Sequence, residues 1–171
     1  SNAANYVGGD TEFGLALAGL VANYLDGTNT TIKANAPITF LNWVKPEKVL
    51  GEQAIFSYGG LGDSLSLRLE NGKLALRDDI NKSGSVKTIT ESAFVLKKGE
   101  WYHLALTIET SGVKRLFLNG MPVALLSGLP LSAIDTDVLT IGKSPENLLP
   151  FFGAVDDVRV YDRLLLDSEI A

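Results

Sequence analysis

The chain has 171 residues, of which 46% are hydrophobic; it carries a formal net charge of −5 and contains no cysteine. That length suits one domain with a substantial core, and the lack of cysteine excludes disulfide bonds, thiol catalysis and Cys-ligated zinc. The negative charge argues against a nucleic-acid partner, since phosphate contacts need clustered Lys and Arg. No apolar run approaches the roughly 20 residues that span a bilayer.

The first three residues, Ser1-Asn2-Ala3, have the form of an expression-tag remnant, so we expect that a native signal peptide was removed with the preceding sequence. No linker, internal repeat or low-complexity tract divides the remaining chain. We therefore interpret residues 4–171 as a single domain.

The N-terminal third predicts strands with different degrees of clarity. Residues 11–25 have the Ala and Leu content of a helix, but Gly14 and Gly19 interrupt it. Residues 40–44 are apolar on both parities except for Asn42, which is typical of a central strand covered on both faces. Prolines bracket this segment, and proline is excluded from the interior of a central strand.

The middle of the chain predicts hairpins. Leu side chains alternate with polar ones over residues 64–70, and the alternation resumes after Asn71-Gly72; Asn-Gly between alternating runs is a strong hairpin signal because both turn residues need positive φ. Asn119-Gly120 repeats it, and Ser111-Gly112 predicts a third hairpin. A short strand at residues 139–141 and a helical turn at residues 164–170 follow. Short strands separated by frequent turns indicate a sandwich.

Four segments, in order, resemble the laminin G-like branch of the concanavalin A-like lectin/glucanase superfamily. They are Ile38-Thr-Phe-Leu-Asn-Trp-Val-Lys-Pro46, Gly99-Glu-Trp-Tyr-His-Leu-Ala-Leu106, Leu116-Phe-Leu-Asn-Gly120 and the C-terminal residues 153–171. The resemblance covers about residues 13–171 and implies an all-β jelly-roll sandwich of two packed antiparallel sheets. It also implies strands at residues 14–19 and 24–25, with Ala18 where the family often has Asp.

The resemblance further implies a non-catalytic, lectin-like carbohydrate-binding module of an exported protein, at the cell surface, outside the cell or in the periplasm. Its partner would be a glycan or an extracellular protein. The fold serves lectins, adhesion modules and glycanases alike, so a protein-binding adhesion module and a glycoside hydrolase fragment stay as alternatives.

No catalytic residues are predicted. Related laminarinases carry Glu-x-Asp-x-x-Glu on one strand, which places paired carboxylates on one face, and that spacing is absent here. Asp78 and Asp79 are adjacent, so a strand would point them to opposite faces. His103 is the sole histidine and is interpreted as a packed or surface strand residue. We expect that the chain is not an enzyme.

Asp156 is the one candidate metal ligand. In a regular final strand it shares its parity with Ala154, Val158 and Val160, which predicts a buried carboxylate, and burial is costly unless the group is paired or bound to a metal. The resemblance implies a structural calcium ion here, with Asp10 and Asp26 as weaker partners. The alternative is that Asp156 accepts backbone N–H groups at a bulge or pairs with an arginine.

The sequence does not locate a ligand-binding site. Trp43 and Trp101 are aromatic groups of the kind that stack on sugar rings, but they lie within strand motifs where the family uses them as core, and we interpret them so. Binding residues concentrate on loops. The loop candidates, each of which has a solvated loop as its alternative, are Tyr58, the polar group Asp78, Asp79, Asn81 and Lys82, and Asn147.

Overall fold

Nearly all the regular secondary structure of the described chain is β-strand. The computed structural model describes residues 5–7, 14–18, 25–28, 36–80, 87–90, 94–134, 138–145 and 148–171. Its strands are β1 (Asn5–Val7), β2 (Gly14–Ala18), β3 (Leu25–Thr28), β4 (Ile38–Pro46), β5 (Glu52–Gly60), β6 (Asp63–Glu70), β7 (Lys73–Asp79), β8 (Lys87–Thr90), β9 (Tyr102–Ile108), β10 (Val113–Leu118), β11 (Met121–Ser127), β12 (Val138–Ile141) and β13 (Phe152–Tyr161). A 3-10 turn spans Leu131–Ala133, and a short helix, α1, spans Asp167–Ile170.

Within the described ranges the strands form two antiparallel sheets. The first sheet has the order β1-β2-β13-β4-β9-β10-β11, and the second has the order β3-β12-β5-β6-β7-β8. Every strand pair in both sheets is antiparallel. The predicted sandwich is therefore confirmed. β2 falls where the resemblance implied a strand, whereas β3 shares only Leu25 with the second implied strand.

The core lies between the two sheets, and the strands whose side chains are described contribute largely alternate residues to it. On β4 these are Ile38, Phe40 and Val44, and Phe40 stacks on Phe56 of the facing sheet with ring centroids 5.1 Å apart. Tyr58 also belongs to this core, with 2% of its surface exposed. Its prediction as an exposed loop ligand is wrong, because β5 continues to Gly60 and the chain turns only after that residue.

The three predicted hairpins are confirmed by the backbone. Asn71 and Gly72 have φ of 52° and 82°, and Asn119 and Gly120 have φ of 49° and 77°. These positive values let a two-residue turn follow the twist of the paired strands. The β9–β10 hairpin turns through Gly112, whose φ is 90°.

A buried ion pair joins the two sheets. Lys114 on β10 has no exposed surface, and its Nζ lies 2.8 Å from Asp78 Oδ2 on β7. The same ammonium group donates to the carbonyl oxygens of Gly112 (3.1 Å) and Leu129 (2.7 Å). Three acceptors match its three N–H groups, which offsets the loss of hydration.

This pair corrects the prediction that Asp78 is part of a polar loop cluster. Asp78 shares the parity of Leu74 and Leu76, so its carboxylate points into the sandwich and is not available to a ligand. Asn81, Lys82 and Asn147 lie outside the described residues.

Gly72→Val should destabilise the fold more than Gly62→Val. Both glycines have positive φ, where a residue with a side chain costs on the order of 1–3 kcal/mol. A Cβ on Gly72 would also lie 2.8 Å from Val95, whereas the space around Gly62 is open. Urea denaturation of both variants measures the difference, and equal losses would contradict the predicted contact.

Lys114→Met should cost about 3–5 kcal/mol of unfolding free energy, because it leaves the Asp78 carboxylate buried without its cation. Asp78→Asn should also destabilise, since the ammonium group loses its counter-charge. In the double variant the second change should cost less than it does alone, because it no longer strands a charge. Chemical denaturation of all four proteins tests this, and additive losses would contradict it.

Candidate functional site

A cleft of about 590 Å³ opens on the outer face of the first sheet. Strands β4, β9 and β13, the β10–β11 turn and the C-terminal segment all contribute to it. Its lining residues are Leu41, Trp43, Trp101, His103, Asn119, Gly120, Asp157, Arg159, Glu169, Ile170 and Ala171.

Both tryptophans line this cleft and are partly exposed, so their interpretation as core residues is wrong. Strand parity explains the difference. On β4 the even-numbered residues fill the core, so Trp43 points outward. Trp101 shares the parity of His103, opposite to that of Leu104 and Leu106. That alternation was visible in the sequence and was the signal that could have placed both indoles outside.

His103 lies beside Trp43 as its cross-strand partner. The two rings are 5.2 Å apart with an angle of 42° between their planes. Burial lowers the pKa of His103 below its ordinary value, against the opposing effect of Asp157, with nearby Arg159 adding to the lowering. The imidazole is therefore neutral at pH 7. The prediction of a packed or surface strand histidine is confirmed, since His103 is partly buried on β9, but its place in the cleft was not predicted.

The β10–β11 turn is fixed against β9 by Asn119. The His103 backbone N–H donates to Asn119 Oδ1 (2.9 Å), and the Asn119 backbone N–H donates to the His103 carbonyl oxygen (2.8 Å). The carbonyl oxygen of the Asn119 side chain is thus engaged by the backbone. Its amide nitrogen retains the capacity to donate at the cleft.

A bulge in β13 places two charged residues in the cleft. Asp156 pairs with Trp43 and Arg159 pairs with Leu41, so β13 has one more residue than β4 between these points. Asp157 takes up the extra length with a φ of 46°. Arg159 Nε donates to Asp157 Oδ1 at 2.7 Å, and both side chains line the cleft.

Asp156 is 8% exposed, which confirms the predicted burial. Its Oδ1 accepts the backbone N–H of Asp157 at 2.8 Å, in agreement with the alternative of a hydrogen-bonded carboxylate at a bulge. The parity argument behind the prediction was wrong. Val155 lies opposite Val44 and joins the main core, so before the bulge the core face carries the parity opposite to the one predicted, and Val158, within the bulge, is 42% exposed.

The C-terminal segment forms one wall of the cleft. Leu165 and Ile170 pack on Leu41, Ala105 and Phe117 of the outer face. Thr39 on β4 anchors the segment to the sheet, since its Oγ1 donates to the Arg163 carbonyl oxygen (2.8 Å) and accepts from the Leu165 N–H (3.1 Å). The predicted helical turn is present as α1.

Glu169 on this wall is held by a two-point ion pair. Arg163 Nη1 and Nη2 donate to its two carboxylate oxygens at 2.9 and 2.7 Å, and the Leu166 N–H donates to Oε2 at 2.8 Å. Arg163, followed by the Leu166 hydrogen bond, lowers the pKa of Glu169 to about 2. The group is therefore ionised at neutral pH and has no proton to donate.

Neither a metal cluster nor a membrane helix is found in the described ranges. No three His, Cys, Asp or Glu residues there group together in a way that fits a metal ion. Likewise, no helix among these residues has the length and apolar character to cross a bilayer. The calcium ion at Asp156 stays a prediction.

Comparison of the sequence with protein families gives one match. The laminin G family model described as "Concanavalin A-like lectin/glucanases superfamily" matches residues 19–171. Among curated proteins, none matches the sequence.

Comparison with solved structures gives many similar folds, of which three illustrate the range. The binding domain of Paraclostridial mosquitocidal protein 1 is 16% identical, with a TM-score of 0.77 over 99% of this chain and 44% of that one. Domain 4 of AbnA, a GH43 extracellular arabinanase from Geobacillus stearothermophilus in complex with arabinotriose, is 18% identical. Its TM-score is 0.77, and the match covers 99% of this chain and 80% of that one. The CBM40 of the Ruminococcus gnavus IT-sialidase, bound to α2,3-sialyllactose, is 21% identical. Its TM-score is 0.77, and the match covers 92% of this chain and 94% of that one.

If calcium binds Asp156, added calcium should stabilise the native state by mass action and so raise the melting temperature. At a calcium concentration a hundred times the Kd, the free energy of unfolding should increase by about 2.7 kcal/mol. Asp156→Ala should abolish this increment, and Asp157→Ala should leave it. Melting curves in calcium and in chelator measure the effect. Curves that are the same in both would remove the ion and leave the carboxylate held by hydrogen bonding.

Proposed function

This chain belongs to the concanavalin A-like lectin/glucanase superfamily, and from that premise and the geometry of the cleft we propose that it is a non-catalytic carbohydrate-binding module. The ligand would lie in the cleft on the outer face of the first sheet. We also propose that the parent protein is exported, to the cell surface, the extracellular space or the periplasm, where glycan ligands are presented.

The observation that carries this proposal is an aromatic surface beside polar groups. Trp43 and Trp101 are partly exposed in one cleft, and the apolar C–H face of a sugar ring packs well against an indole. Such sites combine an apolar surface with a few placed polar groups that fix orientation. A flat apolar surface would instead indicate a protein partner.

The polar groups of the cleft suit sugar hydroxyls. Asp157 supplies an acceptor, Arg159 and the Asn119 amide supply donors, and the neutral His103 ring has one nitrogen of each kind. Arg159 and Asp157 fix each other, and Asn119 is fixed by the β9 backbone. Side chains that are already ordered lose less entropy when a ligand binds.

The similar structures support a glycan in preference to a protein partner. The arabinanase domain is in complex with arabinotriose and the CBM40 with sialyllactose, and cell entry of botulinum neurotoxin type C, whose structure is also similar, depends on interaction with ganglioside molecules. At 16–21% identity these likenesses show a shared fold, and the ligand of this chain rests on the cleft itself.

Protein binding is the second candidate, and one observation favours it. Met121 and Leu125 on β11, at the end of the first sheet, expose 55% and 57% of their surfaces. A partner strand or loop packed there would cover them. An adhesion module would use this edge and leave the cleft unoccupied.

The chemistry of the cleft supports binding without catalysis. Retaining and inverting glycosidases both need one carboxylic acid that can donate a proton. Glu169 is ionised with both oxygens engaged, and Asp157 is paired with Arg159. Release of reducing sugar from β-glucans that a single Glu→Gln or Asp→Asn change abolishes would overturn this part of the proposal.

Trp43→Ala and Trp101→Ala should each weaken glycan binding by about tenfold or more, since a central aromatic contact contributes on the order of 2 kcal/mol. The matched control is Phe152→Ala, which removes a partly exposed aromatic ring that lies under Lys48, 4.9 Å from its Nζ, and outside the cleft. A glycan array identifies a ligand, and calorimetry then measures its Kd with each variant.

Melting temperatures near that of the parent protein would confirm that the variants fold. If Phe152→Ala weakened binding and the tryptophan variants did not, the ligand would lie elsewhere. If no glycan bound and a protein partner was lost on Leu125→Asp, the adhesion module would replace the lectin.

A further inference from the structure

The charged side chains that line the cleft form ion pairs with other side chains of the protein. Among the described lining residues, Arg159 supplies the only guanidinium or ammonium group, and it is bonded to Asp157 at 2.7 Å. Glu169 is bonded to Arg163 at 2.7 Å. The lining side chains themselves carry two carboxylates and one cation.

An anionic sugar that approached Arg159 would be repelled by the neighbouring Asp157 carboxylate. The Asp157 carboxylate occupies the Nε side of the guanidinium, so a ligand carboxylate on the remaining N–H groups would lie close to a second negative charge. The side chain of Asp157 is only 25% exposed, which limits the screening of that repulsion by water and salt. The Arg159–Asp157 pair therefore favours ligand hydroxyl groups over ligand carboxylates, because a hydroxyl group can donate to Asp157 and accept from Arg159.

The other cations near the cleft do not change this balance. Lys45 Nζ lies 5.5 Å from the Trp101 ring centroid and 4.0 Å from Glu47 Oε1, so it has an acidic neighbour of its own. Arg163 has both terminal nitrogens on Glu169. Burial lowers the pKa of His103, against the opposing effect of Asp157 and with a smaller contribution from Arg159, so its ring adds no further cation to this balance.

We infer that the cleft binds neutral sugars in preference to sugars that carry a carboxylate, such as sialylated glycans. This inference rests on the proposed carbohydrate-binding function and narrows its ligand class. It separates this chain from the similar CBM40 domain, whose solved structure holds sialyllactose.

The test uses glycan pairs that differ by one terminal sialic acid, lactose and α2,3-sialyllactose among them, on an array that also carries arabinotriose and other neutral oligosaccharides. We expect the neutral member of each bound pair to bind about tenfold more tightly. Its Kd should change less than about twofold between 50 and 500 mM salt, because no net charge is neutralised on binding.

The Asp157→Asn variant tests the charge of Asp157 directly. It removes the negative charge beside Arg159 and retains the shape of the side chain, so affinity for the sialylated member should rise while affinity for the neutral member falls. The matched control is Glu70→Gln, which makes the same change of charge on β6 of the other sheet.

The outcomes separate the two proposals. Tighter binding of the sialylated member by the parent protein would overturn this inference and leave the carbohydrate-binding function standing. An unchanged preference in Asp157→Asn would overturn the role given to Asp157. An array on which no glycan binds would overturn the proposed function, and this inference with it.

Discussion

The alternation of side chains on β4 and β9 is the constraint that creates the candidate site. Because Phe40, Val44 and Leu106 are used to fill the space between the sheets, the intervening residues must face outward. On most of a soluble sheet such positions carry polar groups. Here they carry Trp43 and His103, which are large and only partly covered, so the outer face acquires a surface that can contact a ligand.

The bulge in β13 and the C-terminal segment turn that surface into a cleft. If β13 continued from Asp156 without the bulge, regular alternation would carry Arg159 to the core face. The bulge sends it outward beside Asp157. The C-terminal segment covers the neighbouring apolar positions with Leu165 and Ile170, which leaves the indole-lined part open.

Two kinds of ion pair serve different ends in this protein. Lys114 and Asp78 are withdrawn from water between the sheets, and their value depends on every N–H group of the ammonium finding an acceptor. In pairs such as Arg159–Asp157 one partner is more than half exposed, so the pair contributes little to stability, while the Asp157 carboxylate, 25% exposed, still acts on a ligand beside it. Their effect is to hold side chains in place and to set the charge that a ligand meets.

The sequence by itself determined the fold: alternation, Asn-Gly turns and four segments in the family order predicted the sandwich and the hairpins. These features are local, since turn residues and strand period act over a few neighbours. Only the tertiary structure decided that Trp43 lines a cleft, that Asp78 meets Lys114 and that Tyr58 is core. Those outcomes depend on which face of each strand meets the other sheet and on a one-residue bulge. Strand alternation can place a side chain on an outer or inner face, but it does not encode which residues from distant parts of the chain it meets there.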